Sequence, residues 1–148
     1  MLKGSIMLNR RIALLVLLAV FSMANLALAQ QEVWDCTFKG TFTEAGETGE
    51  FTWKVTWTGS EDTWLISGKT EESETKGTCN ERTCKIEEKM IAGESKGKTF
   101  YWIGTYTDEA GKSDDTSITK FTGTWGPSPT DRKSSGTWKA KATCALRK

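Results

Sequence analysis

From residue 34 onward, apolar side chains recur at every second position. Phe51, Trp53, Val55 and Trp57 alternate with Thr52, Lys54, Thr56 and Thr58. Successive side chains of a β-strand point to opposite faces, so this spacing gives an extended chain one greasy face and one wet face. The same period runs through Trp34, Cys36, Phe38, Gly40 and Phe42, then Trp64, Ile66 and Gly68. It returns in Phe100, Trp102, Gly104 and Tyr106, in Phe121, Gly123 and Trp125, and in Trp138, Ala140, Ala142, Cys144 and Leu146. Cys84, Ile86 and Met90 follow it less cleanly, with Glu88 breaking the apolar series. Turn-forming stretches separate the runs: Glu47-Thr48-Gly49, Gly59 to Asp62, Ala92 to Gly97, Asp108 to Asp115, and Gly126-Pro127-Ser128-Pro129. The pattern predicts an all-β domain of seven strands, or eight if Glu72–Cys79 pairs back through a Cys79–Cys84 hairpin. Eight strands in an antiparallel up-and-down meander bring the last beside the first and close a small β-barrel. A β-sandwich satisfies the same alternation.

The N-terminus reads differently. Lys3, Arg10 and Arg11 precede an apolar run, Ile12 to Leu28, interrupted by Ser22 and Asn25, and Ala27-Leu28-Ala29 is a small-x-small site. Charge, apolar stretch and cleavage box in that order make an export signal. Residues 1–29 are expected to be removed and 30–148 to form one domain. The run is short for a membrane span of about 20 residues, so a retained anchor is disfavoured. Position 30 is Gln rather than Cys, which closes the bacterial lipoprotein route, and no Asn-x-Ser/Thr sequon occurs. These features fit bacterial export, to the periplasm or beyond the cell. Without the leader's three basic residues, 17 Lys and Arg face 19 Asp and Glu. That balance excludes the basic stripe of a nucleic-acid binder. No membrane association is expected after cleavage. Lys139, Lys141, Arg147 and Lys148 read as guards on an exposed edge strand.

All four cysteines, Cys36, Cys79, Cys84 and Cys144, lie beyond the leader. An even count in an exported chain implies two disulfides. Three pairings exist, and Cys36–Cys144 with Cys79–Cys84 is favoured. The first closes a loop of about 109 residues, worth roughly 4–5 kcal/mol by chain entropy. The second spans Asn80-Glu81-Arg82-Thr83, a fitting length for a four-residue hairpin loop. Zinc is disfavoured: the spacing is not C-x₂-C, and the chain has no histidine.

Gly-Thr-aromatic occurs four times: Gly40-Thr41-Phe42, Gly104-Thr105-Tyr106, Gly123-Thr124-Trp125 and Gly136-Thr137-Trp138. Glycine lets a strand bend, and the aromatic two positions on shares its face and can cover the gap. These tripeptides and the strand spacing resemble the short Gly-Thr-Trp and Gly-Thr-Tyr strands of avidin- and lipocalin-like barrels of the calycin group. The resemblance implies a small closed barrel. It assigns no ligand residues.

The absence of histidine removes Ser-His-Asp and Cys-His catalysis. No phosphate loop or dinucleotide fingerprint is present. Carboxylate chemistry remains, with Glu88 as the candidate that interrupts an inward register. The Asp108–Asp115 loop has oxygen ligands without the order of an EF-hand, so no metal or cofactor is expected. The interior is expected to be filled by rings, or to leave a cavity at the barrel mouth lined by some of them. Trp57, Trp102 and Glu88 are the candidate ligand-binding residues. Tyr101 and Ile103 fall on the outward face, where a water-facing strand should be polar, and mark a candidate interaction patch. The leading expectation is an exported, non-catalytic binding module that takes a small-molecule or glycan-like ligand at the mouth. A protein-binding inhibitor of a secreted hydrolase and a carboxylate-based hydrolase are the alternatives.

Overall fold

The computed structural model describes residues 31–60, 62–109, 113–130 and 136–148. The expected leader, 1–29, lies outside the described residues. Eight strands follow one another: β1 (Glu32–Glu44), β2 (Glu47–Ser60), β3 (Thr63–Lys69), β4 (Ser73–Asn80), β5 (Thr83–Met90), β6 (Thr99–Asp108), β7 (Thr116–Gly126) and β8 (Gly136–Leu146). Each pairs antiparallel with the next, and β8 pairs antiparallel with β1. The sheet therefore closes into an up-and-down barrel, and the segment Glu72–Cys79 does supply the eighth strand as β4. Closure also corrects the reading of the C-terminal lysines. Lys139 and Lys141 sit on a strand paired on both sides, so they guard no edge.

Two turns are tighter than the sequence suggested. The β1–β2 ladder runs to Glu44↔Glu47, so the turn is Ala45-Gly46, and Glu47-Thr48-Gly49 belongs to β2. Asn80↔Thr83 is likewise a ladder pair, which leaves a two-residue turn, Glu81-Arg82, in place of a four-residue loop. Both turns have positive φ at both residues: 49° and 87° in the first, 47° and 67° in the second. That is the I′ geometry whose twist matches the strands it joins.

Both disulfides form as the sequence favoured. Cys36 and Cys144 are directly opposed on β1 and β8, with Cα atoms 4.1 Å apart, and tie the seam. Cys79 and Cys84 are opposed on β4 and β5, 4.0 Å apart, and clamp the Glu81-Arg82 turn. All four are buried. Two disulfides are consistent with an oxidising compartment.

The inward face is aromatic. Phe38 and Phe121 meet at 4.8 Å between centroids, Phe51 and Trp53 at 4.5 Å, and Trp102 stacks on Trp125 at 5.3 Å. Gly40 and Gly104 make room for rings, and at both the covering ring comes from another strand rather than from the same tripeptide. A Cβ at Gly104 would stand 2.7 Å from Cζ2 of Trp138, and one at Gly40 would stand 2.6 Å from Cζ of Phe51. Gly40 and Phe51 are ladder partners, as are Phe42 and Gly49, so ring and gap alternate across β1 and β2. Strand curvature and ring packing thus depend on each other.

Candidate binding site at the barrel mouth

Strand parity gives the barrel two different ends. At one end β1, β3, β5 and β7 begin and β2, β4, β6 and β8 finish; at the other the directions reverse. The first end holds a cavity of about 170 Å³. Trp34, Trp57, Trp64 and Tyr106 line it together with Glu32, Asp62, Arg82 and Asp108, and Ser117 and Thr119 add hydroxyls. Its floor is the packed core, because Trp57 lies 6.4 Å from Phe38 and 5.9 Å from Phe121 between ring centroids.

The rings at this mouth meet edge to face. Trp57 and Trp64 are 5.7 Å apart at 75°, and Trp57 and Tyr106 are 5.5 Å apart at 84°. The polar groups are held from below. Trp34 Nε1 donates to Glu32 at 3.0 Å, and Thr119 Oγ1 donates to Asp108 at 3.3 Å. Arg82 rises from its clamped turn and lies over the Tyr106 ring, 5.6 Å from the centroid, with its Nη2 3.8 Å from Asp108. The backbone N–H of Tyr106 donates to the Arg82 carbonyl at 3.1 Å, which fixes the turn against β6. Burial pushes the Tyr106 phenol above its usual range; Asp108 and then Asp62 add to that push, and Arg82 opposes it.

The three candidate ligand residues do not come together. Trp57 is at the mouth, whereas Glu88 lies towards the opposite end of the barrel, beside Ser73 at the start of β4. Glu88 keeps the inward register and is 8% exposed. Its Oε1 accepts from Trp53 Nε1 at 2.8 Å and from Ser73 Oγ at 3.0 Å. Burial pushes its carboxyl above the ordinary range. The hydrogen bonds from Trp53 and Ser73 pull it back, the Trp102 indole does so less, and the charge of Glu72 adds to the rise. Trp102 packs between Trp53 and Trp125. Its Nε1 meets no acceptor at hydrogen-bond geometry, and neither does that of Trp57; both are buried. Among the described residues, no group of acidic or sulfur ligands is arranged to hold a metal ion.

Tyr101 and Ile103 face outward and are half-buried. Tyr101 lines a shallow depression with Leu65, Lys76, Lys85 and Pro129, and Leu65 there is 52% exposed.

Sequence reasoning missed Trp34, Trp64, Tyr106, Arg82 and Asp108 as mouth residues. Parity carried the signal. Once β1 to β8 alternate in direction, the inward residues at the start of odd strands and the end of even strands must share one rim.

No protein-family model matches the chain, and no curated protein matches it. Among solved structures, the ywiB protein from Bacillus subtilis aligns over 84% of this chain and 99% of its own, with 8% identity and a TM-score of 0.44. A likeness at that level carries no argument about what this chain does.

Proposed function

We propose that this barrel is an exported, non-catalytic binding module that takes a small ligand in its mouth. The observation that carries the reading is the juxtaposition at one end: a cavity of about 170 Å³ walled by aromatic rings and rimmed by charged groups, above packed rings. Concave sites that combine apolar walls with a few placed polar groups are where small ligands bind. The volume suits a small molecule or one end of a larger one, since a dry cavity of about 150 Å³ accepts benzene. Clasping the seam and the mouth hairpin with disulfides pre-organises the site and reduces the entropy lost on binding. The outward face supports work in water rather than in lipid, because Lys39, Lys54, Lys76, Lys89 and Lys120 are all exposed on it.

A panel of small solutes screened by intrinsic tryptophan fluorescence tests the reading. A binder should give a saturable change that Trp57→Ala abolishes. No saturable change with any solute, or a change that survives Trp57→Ala, rejects it. The inhibitor alternative draws on the Tyr101 depression, and Tyr101→Asp should then cost capture of a hydrolase without unfolding. The hydrolase alternative gains nothing from geometry, because Glu88 is buried with indole and hydroxyl donors and has no carboxylate among its hydrogen-bond partners.

A further inference from the structure

The described lining of the mouth is acidic as well as aromatic. Of the charged groups that line it among the described residues, Glu32, Asp62 and Asp108 are acidic and Arg82 alone is basic. The walls are π-systems set nearly at right angles, Trp57 against Tyr106 at 84° and Trp57 against Trp64 at 75°. Ring faces carry partial negative charge, so a ring face bordered by carboxylates draws a cation. The protein already shows the interaction. The Arg82 guanidinium lies over the Tyr106 face at 5.6 Å, within the range in which cations are drawn to rings.

From this we infer that the mouth is a receptor for a small organic monocation, a methylated ammonium or a protonated amine, and that Arg82 is the cation that occupies it when no ligand is bound. This rests on the mouth being the ligand site and adds the class of ligand. The fold supports an exchange of cations. The Arg82 backbone is fixed by the I′ turn, the Cys79–Cys84 bond and the hydrogen bond from Tyr106. Its side chain is 58% exposed, and its ion pair with Asp108 is long at 3.8 Å. Exposed pairs of this kind hold weakly. The guanidinium can therefore swing into water while the rings and carboxylates stay in place. An arriving ammonium regains the Tyr106 face and the Asp108 charge that Arg82 gives up. A neutral molecule of equal shape regains neither, and an anion meets three carboxylates.

The test compares choline and tetramethylammonium with 3,3-dimethylbutan-1-ol, the uncharged carbon isostere of choline, at fixed ionic strength. Tryptophan fluorescence of the full processed chain is the readout, with glucose and acetate as further probes. Choline and tetramethylammonium should bind saturably, and the isostere at least ten times more weakly. Arg82→Gln should tighten choline several-fold, and the isostere as well, since either must displace the guanidinium to enter. Asp108→Asn should weaken choline several-fold, and it provides the test if Arg82→Gln does not fold by circular dichroism. If the isostere matches choline, or glucose or acetate binds in preference, the cation class is wrong while the mouth remains a ligand site. If neither cation produces a saturable change, the inference is overturned, and the wider solute panel separately decides the fate of the mouth. Choline binding that weakens in Arg82→Gln also overturns it, since Arg82 would then be part of the receptor rather than its occupant.

Discussion

Removing the two disulfides one at a time should cost very different amounts. Cys36 and Cys144 are 108 residues apart in sequence, and Cys79 and Cys84 are 5 apart. On the chain-entropy relation, a loop of about 109 residues restrains the unfolded chain by about 4.8 kcal/mol and a ring of about six by about 2.2 kcal/mol. The side chains lost are the same and all four are buried, so the packing penalties nearly cancel when the two variants are compared. The difference, about 2.6 kcal/mol, isolates closure of the seam. Urea unfolding of Cys36→Ala/Cys144→Ala and Cys79→Ala/Cys84→Ala measures it. At an m-value of roughly 1.5 kcal/mol/M, the midpoints should fall by about 3 M and about 1.5 M respectively. Equal losses, or a larger loss for the hairpin pair, would refute the reasoning. The restraint would then act through local packing and not through joining the ends of the chain.

The buried acid makes its own prediction. Glu88 has a folded-state pKa raised above its unfolded value near 4.5, so its favourable state is the protonated one. Its contribution is fully present below about pH 4.5 and is lost as pH rises through the folded value. Glu88→Gln removes that loss, so urea titrations across pH should show the variant gaining on the wild type as pH rises; a constant difference contradicts the burial. Gly104→Ala puts a Cβ 2.6 Å from the Thr122 carbonyl and 2.7 Å from Trp138, whose indole is pinned by hydrogen bonds to the Ile103 and Thr124 carbonyls at 3.1 and 3.2 Å. It should cost about 1–3 kcal/mol in a thermal melt, as overpacking does. Glu81→Asn with Arg82→Gly places residues that favour positive φ in the I′ turn and should stabilise by about 1 kcal/mol. A loss of stability there would mean that the Arg82 contacts outweigh the backbone gain.

The strand framework was legible because a two-residue period needs only a pattern of apolar positions. Trp34, Trp53, Trp57, Trp102, Trp125 and Trp138 were all expected to face inward, and all are buried. The disulfide partners were legible from parity, since eight alternating strands put Cys36 opposite Cys144. Turn positions were less so. Glu47-Thr48-Gly49 has turn-like composition, yet Ala45-Gly46 makes the turn, because ring-over-glycine pairing of Phe42 with Gly49 fixes the register. The site was legible in part. Trp57 falls at the mouth, but height along a barrel depends on how far each residue is from its strand end, and that separates Trp57 from Glu88. Arg82 was hidden because a turn residue in sequence gives no sign of the ring it will cover.

Tryptophan indole N–H signals offer the most direct measurement. The chain has seven tryptophans. Trp34, Trp57 and Trp64 line the mouth, whereas Trp53, Trp102 and Trp125 pack together beneath it. Titrating ¹⁵N-labelled protein with a solute that changes its fluorescence should shift the first three indole resonances and leave those of Trp53, Trp102 and Trp125 in place. Shifts confined to Trp53, Trp102 and Trp125, or equal shifts in all seven, would contradict a ligand site at the mouth.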